Sequence, residues 1–397
     1  MWEEKPLLDV VTLYNGLTYT PNDITVRGTL VLRSSNVQDG EISLLDNVYV
    51  KPEVATSPNV KKGDIIVVVR NGSRTLIGKH AHIKTDMPNT VIGAFMTGMH
   101  TDEPEFINAL LCTSRFSNEV TINLGATINQ ITNGTFRSMI FLFPNKKEQQ
   151  ALGAYFQHLD NLIQSTTKKI ESLKQVKAAS LLSMFPQEGE TKPRVRFKGF
   201  EGDWKNVMVG KIGTTYSGLS GKVKQDFGQG DAKFVTFLNV LTNAKIDISI
   251  LESVNVCKSE HQNEVKKGDL LFNTSSETPE EVGMCAVMDD ELENVYLNSF
   301  CFGFRITDEN IAPIFVAYLM RSHIGRGIMS ILAQGATRYN LSKNNLCKTD
   351  LLLPKTKAEQ TIIGNYFINI DSQISLQIKR LEKLKQIKSA CLDNMFV

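Results

Sequence analysis

The period of the hydrophobic positions changes several times along the chain. Leu152, Phe156, Leu159, Ile163, Ile170, Leu173 and Met184 recur at three- and four-residue steps or sums of such steps, between charged flanks. That spacing predicts a long α-helix with one apolar seam. Ile363, Phe367, Ile370, Ile374, Leu381, Leu384 and Met395 repeat the pattern at the other end of the chain. Pro144 and Pro354 stand just before the two stretches. Thr356-x-x-Glu359 reads as a capping box, and Asn145-x-x-Glu148 as its looser equivalent. Helices of about 40 residues would be about 60 Å long at 1.5 Å per residue. Such a seam has to be covered. Two matched helices predict pairing with each other, and packing of each on its own module is the alternative.

Elsewhere the period shortens. "LVLRSSNV" (30–37), "DIIVVV" (64–69), "KFVTFLNV" (233–240), "DLLFNT" (269–274) and "FCFGFRI" (300–306) are short, β-branched or aromatic runs that predict strands. "PEFINALLCTSRFSNEV" (104–120) and "APIFVAYLMRSHIGRGI" (312–328) predict amphipathic helices. "PQEGETKPRVRFKGFEGDW" (186–204) is rich in Pro, Gly and charge and reads as a linker.

The two long helices are copies. Residues 148–185 and 359–396 align at a constant offset of 211, with 17 of 38 positions identical. The likeness continues upstream at drifting offsets. "GAT" occurs at 125–127 and 335–337, "VKKGD" at 60–64 and 265–269, and Trp2, Tyr14 and Gly16 parallel Trp204, Tyr216 and Gly218. Drifting offsets mean loops of different length within two copies of one unit. The predicted fold class is therefore α+β: a tandem duplication of a mixed α/β module followed by a long helix, the two helices pairing as an antiparallel coiled coil. The expected boundaries are module 1–144, helix 145–187, linker 188–205, module 206–354 and helix 355–397.

Composition adds mainly exclusions. Hydrophobic residues make up 42% and charged residues 22%, ordinary for a globular chain. No apolar run approaches the roughly 18 residues of a membrane span. The start, "MWEEKPLLDV", does not read as a secretory signal. The six cysteines are scattered without a C-x-x-C pair, which predicts reduced thiols and a cytoplasmic protein. No dinucleotide or P-loop glycine motif, nucleophile elbow or amino-methyltransferase box (Asn/Asp-Pro-Pro-Tyr) is present. His80-x-His82 is the only histidine pair with ligand-like spacing, and it reads as a surface pair on a strand. The chain reads as a binder, with no catalytic residues and no metal.

Its candidate reading surfaces are two matched pairs of polar stretches. "VRNGSRTLIGK" (69–79) and "NTSSETPEEVG" (273–283) follow equivalent strands. "GATINQITNG" (125–134) and "GATRYNLSKNN" (335–345) form the second pair. Arg, Asn, Gln, Ser and Thr are the side chains that meet base edges and phosphates. The DNA-contact candidates are Arg70, Asn71, Ser73, Arg74, Lys79, Asn129 and Gln130 in the first copy. In the second they are Asn273, Thr274, Ser275, Ser276, Thr278, Arg338, Tyr339, Asn340 and Lys343. Charge tempers this. Residues 1–144 and 186–354 each carry a net −2, and each helix segment a net +3. Neither module can bind DNA by bulk charge, so contacts must come from local patches and from partner subunits.

At these residues the chain resembles the specificity subunit of type I restriction–modification enzymes. The likeness spans nearly the whole chain. It rests on the repeated Pro-x(3–4)-Glu-Gln helix start and on the repeated Leu-Lys-Gln-x-Lys run ending in Met-Phe. The resemblance implies that each module is a target recognition domain reading one half of a split, asymmetric double-stranded DNA site. It implies antiparallel spacer helices that point the modules in opposite directions and act as a ruler. It implies two modification (methyltransferase) subunits as partners, which carry S-adenosylmethionine and methylate adenine, and restriction subunits where the complex also cuts. The subunit itself would hold no cofactor. The first copy lacks the "RFKGF" (196–200) that leads to Trp204, a departure expected to have modest local consequences. Two other classes stay open: a duplicated coiled-coil adaptor whose modules bind proteins, and the recognition end of a fused enzyme.

Overall fold

The computed structural model describes residues 2–124, 129–257, 259–335 and 337–396. The "GAT" triplet at 125–127, with Ile128, and Ala336 of the second triplet lie outside the described residues. The chain forms two compact units, Met1–Lys168 with Lys379–Val397, and Lys169–Ile378.

Each unit is built on the same four-stranded antiparallel sheet. In the first its order is Thr12–Asn15, Met96–His100, Ile65–Val68, His80–His82. In the second it is Gly213–Ser217, Cys301–Ile306, Leu270–Asn273, Cys285–Val287. The runs Ile65–Val68 and Leu270–Asn273 are buried at every position. They do not alternate because both faces are covered. Ile65 and Val67 pack with Phe106, Phe136 and Phe141 on one face, while Ile66 and Val68 pack with Leu30, Leu32 and Ile92 on the other. A second sheet covers that other face, ordered Thr90–Ile92, Thr29–Leu32, Val48–Val50, Ile24–Thr25 in the first unit. Its counterpart is Glu252–Val254, Phe227–Val235, Val295–Leu297.

The "VKKGD" repeat has a physical cause. Asp64 is buried, and its carboxylate accepts from Lys61 N (2.9 Å), the Tyr14 hydroxyl (2.8 Å) and His100 Nδ1 (2.9 Å). Asp269 repeats this with Lys266 N (2.8 Å) and the Tyr216 hydroxyl (2.7 Å), and Arg305 replaces the histidine with two bonds of 2.9 and 2.6 Å. Burial and the aspartate push both phenols well above the ordinary tyrosine range. The tyrosine rings lie flat over glycines. A Cβ on Gly98 or Gly303 would stand 2.0 Å from Cζ of Tyr14 or Tyr216.

Four sequence expectations need correction. The run 30–37 is strand to Leu32 and again from Val37, with a 3-10 turn, Ser34–Asn36, between them and Asn36 Oδ1 accepting from Arg33 N at 2.9 Å. The run 233–240 leaves its strand at Val235 and becomes the helix Phe237–Thr242, capped by Thr236. The predicted helices at 104–120 and 312–328 each break in two, giving Pro104–Leu111 and Ser114–Asn123, and Pro313–Arg321 and His323–Leu332. Thr113 and Ser322 cause the breaks. Each hydroxyl donates back to the carbonyl three residues earlier and accepts the N–H three residues ahead.

The long helices run over Lys146–Ser183 and Lys357–Met395. In the first unit the start of one meets the end of the other. Lys388 pairs with Asp160, the Tyr155 hydroxyl lies 3.3 Å from Cys391 Sγ, and Phe156 and Leu159 pack with Leu384, Ile387 and Leu392. Rising numbers on one segment meet falling numbers on the other, so they are antiparallel. In the second unit Lys177 pairs with Asp371, and the Ser180 and Tyr366 hydroxyls are 2.9 Å apart, in the same antiparallel sense. Pairing and packing on a module both occur. Leu152 joins the core of Phe106 and Ile107, and Ile363 and Phe367 join that of Ile314 and Phe315. Ile170 and Ile370 are buried; Ile163, Leu173, Ile374 and Leu381 are half-buried.

The phenylalanine of each Met-Phe ending lies just beyond its helix, and its role was not read from the sequence. Phe396 packs on Phe106 (5.4 Å between ring centroids), Phe156 (5.7 Å) and Trp2 (6.3 Å). Phe185 does the same in the second unit, on Phe315 (5.6 Å), Phe367 (5.7 Å) and Trp204 (6.3 Å). The Met-Phe ending of the repeat is thus a core plug.

The helix starts are half of what was expected. Asn145 and Thr356 accept the N–H of Glu148 and Glu359, but neither glutamate closes the box. Glu148 accepts from Trp2 Nε1 at 3.0 Å. Glu359 instead takes Arg196 in a fork, at 2.7 and 2.8 Å, while Arg196 also donates to the carbonyls of Glu201 and Gly202. Trp204 Nε1 is left buried without a partner. The "RFKGF" lead-in is therefore an anchored segment that rewires the start of the second long helix, more than the modest effect expected.

Candidate nucleic-acid interface

The two candidate stretches in each unit lie far apart in sequence, and the fold brings them together. In the first unit Arg70 bridges Gln130, Asn71 N donates to Asn129 O (3.3 Å), and Asn129 Nδ2 donates to Gly72 O (2.9 Å). In the second, Ser275–Ser276 pairs antiparallel with Tyr339–Leu341, which pairs in turn with Ala333–Gln334. A third segment joins both. Val69 N and Arg70 N donate to Phe95 O, and Thr274 N donates to Phe300 O. Each unit thus carries a small platform of three backbone segments. The backbone hydrogen bonds fix these segments to one another, and the side chains that differ between the units stand on them.

Side-chain placement sorts the candidates. Arg70, Ser73, Arg74, Lys79, Thr278, Arg338 and Asn340 are exposed. The Arg70 guanidinium lies 5.0 Å from the Phe95 ring centroid. Asn129, Gln130, Thr274 and Tyr339 are half-buried. Asn71 is half-buried and spends its side chain locally, donating to Ser34 Oγ (3.0 Å) and accepting from Ser73 N (3.0 Å). Ser276 donates to Glu281 (2.8 Å), and Lys343 donates to Ser217 Oγ (2.8 Å). Asn273 is a correction. It is 0% exposed and donates to Glu281 O at 2.8 Å, so it ties the loop to its strand and cannot reach a ligand. Ser275 is buried as well.

Two arginines carried no mark in the sequence: one ties the Phe237–Thr242 helix to the Cys285–Val287 strand, and the other ties the first stretch of the second platform. Arg321 donates to the carbonyls of Val240, Leu241, Asn243 and Cys285. Arg326 donates to the carbonyls of Glu280 and Val282, and burial brings its pKa down to about 10. Their partners are backbone oxygens, which carry no sequence mark.

The histidine pair is a second correction. His82 is buried, and burial lowers its pKa. His80 is half-buried, with Nδ1 3.1 Å from Gly78 O and Nε2 3.4 Å from Cys112 Sγ. Neither is a surface residue. Among the described residues no group of three or more His, Cys, Asp or Glu is placed to hold a metal ion. No described helix is long and apolar enough to cross a membrane.

Residues 1–175 and 201–386 both match the type I restriction modification DNA specificity domain. The chain belongs to that family. It is 21% identical over 406 residues to the type I restriction enzyme EcoKI specificity subunit of Escherichia coli (strain K12), covering 97% of this chain and 87% of that one. It is 22% identical over 412 residues to the StySPI specificity subunit of Salmonella potsdam, with the same coverage. The fold matches the S subunit from M. genitalium with a TM-score of 0.64 at 14% identity, over 100% of this chain and 96% of that one. A chain from a structural study of complex assembly in the type I restriction–modification system matches with a TM-score of 0.51 at 16% identity, over 98% and 96%.

As a type I specificity subunit the chain is a non-catalytic, DNA-specifying component with two recognition domains, and the protein-binding adaptor is set aside. The duplication is then legible in physical terms. One scaffold holds two platforms whose backbones correspond and whose side chains differ. The first offers Arg70, Gln130 and Asn129, and the second Thr274, Arg338, Tyr339 and Asn340 beside the acidic Glu277, Glu280 and Glu281.

Proposed function

We propose that each platform reads one half of a bipartite, asymmetric double-stranded DNA site, and that the long helices set the spacing between halves and dock two modification subunits. The observation that carries this is the meeting of matched, side-chain-divergent loops on one backbone platform in each unit. Arg and Asn at such places suit bidentate contacts to guanine and adenine edges in the major groove. The modules' negative net charge leaves much of the DNA affinity to partners. Those partners would carry S-adenosylmethionine and methylate adenine, and restriction subunits would join where the system also cleaves. A cytoplasmic location follows from that role.

The test is a map of N6-methyladenine in cells carrying the modification subunit, with and without this chain. A split motif with fixed spacing that vanishes without the chain supports the proposal. Methylation that is unchanged without it refutes it.

A further inference from the structure

The two modules differ in most side chains, so an identical residue at a matched place needs a reason. For Asp64 and Asp269, Tyr14 and Tyr216, and Gly98 and Gly303 the reason is internal, because they are buried or packed on one another. Phe95 and Phe300 have no such reason. They stand at a matched place, and among the described residues they are the phenylalanines most open to solvent, at 52% and 59%. Their structural work is done by backbone carbonyls, which any residue would supply. Their rings do not belong to a core cluster. A second matched apolar pair, Ile122 at 77% and Ile331 at 84%, stands in the last turn of the helix that leads into each platform's second stretch.

Building on the reading of the platforms as DNA-facing, we infer that Phe95 and Phe300 are apolar wedges that press against the base stack at each half-site. Each ring is attached to the first platform stretch through its own carbonyl, so a duplex that meets Arg70 or Thr274 meets the ring too. The Arg70 guanidinium over Phe95 places a phosphate-compatible cation beside an apolar face, the pairing that wedge and stacking residues use. The half-sites differ in sequence while the phenylalanine is shared. A shared side chain must therefore meet what the two halves have in common, which is the stacked duplex and not its base edges.

The test uses the full complex with its modification subunits and duplexes carrying 2-aminopurine at successive steps of one half-site. Phe95→Ala should abolish the fluorescence rise at one step of the half read by the first unit and weaken DNA binding roughly ten-fold. The methylated motif should stay unchanged. Phe300→Ala should do the same for the other half only. Val26→Ser, an 89% exposed apolar residue outside the platform, serves as the control. The wedge is overturned if both variants keep the fluorescence rise and bind within two-fold of the control. It is equally overturned if binding falls only because the modification subunits no longer assemble, seen by size-exclusion chromatography. Arg70→Ala and Arg338→Ala tested in parallel separate the two ideas. If these also leave DNA binding untouched, the platform reading fails; if they weaken it while the phenylalanine variants do not, only the wedge fails.

Discussion

Arg196→Ala is the sharpest test of the anchored lead-in. The Arg196 and Glu359 side chains are 15% and 3% exposed and are joined by two charge-assisted bonds of 2.7 and 2.8 Å. Removing one partner of a buried pair costs about 3–5 kcal/mol, chiefly because the other charge stays buried and uncompensated. Arg196 keeps some solvent contact, which moves the expectation to the low end, about 3 kcal/mol. For a unit of this size that lowers the melting midpoint by roughly 6–12 °C. The assay is unfolding followed by Trp204 fluorescence in a Trp2→Phe background. The chain has two tryptophans, and Trp204 is buried in the second unit against Phe185 and Phe315. A double-mutant cycle with Arg196→Met and Glu359→Leu completes it, because removing both charges should recover most of the loss. A loss for Arg196→Ala below about 1 kcal/mol, the range of an exposed pair, would refute the reasoning.

Other outcomes are expected from the same structure. Arg70→Ala should relax one half of the methylated motif and Arg338→Ala the other, each at about 1–3 kcal/mol in competition binding, and loss of specificity in both halves from one change would contradict separate readers. Inserting one heptad at matched places in both long helices should change the spacer of the mapped motif and leave its half-site sequences alone. Gly98→Ala should cost at least about 1–3 kcal/mol in unfolding, since its methyl would meet the Tyr14 ring. Burial raises the Cys112 thiol, but the charge and hydrogen bond of His80 outweigh it and bring the pKa below the usual 9.0. Its stabilising contribution is thus present above 9.0 and is lost as pH falls through the lower folded value. In alkylation at neutral pH followed by peptide mass mapping, Cys112 should react ahead of Cys301, which burial raises to about 12, and His80→Asn should slow it.

The sequence by itself determined the duplication, the two long helices and their apolar seam, because repeats and periodicity are local properties of the string. Leu152, Phe156, Phe367 and Leu384 were legible as apolar positions of those helices for that reason. The strands Ile65–Val68 and Leu270–Asn273 were legible too, as short apolar runs bounded by Gly-Asp and Arg-Asn or Thr. Tertiary structure decided what each residue meets. Glu148 and Glu359 hold the same place in the repeat, yet one accepts from Trp2 and the other from Arg196, which the segment between the two copies delivers. Asn273 had the composition of a reading residue, but the edge of a buried strand claimed it. The helix breaks at Thr113 and Ser322 were hidden because a hydroxyl can ride inside a helix or cap the next one, and the packing around it selects which. The union of 69–72 with 129–131, and of 275–276 with 339–341, depends on backbone hydrogen bonds between distant segments. Such bonds involve groups that every residue carries, so only the folded chain could reveal them.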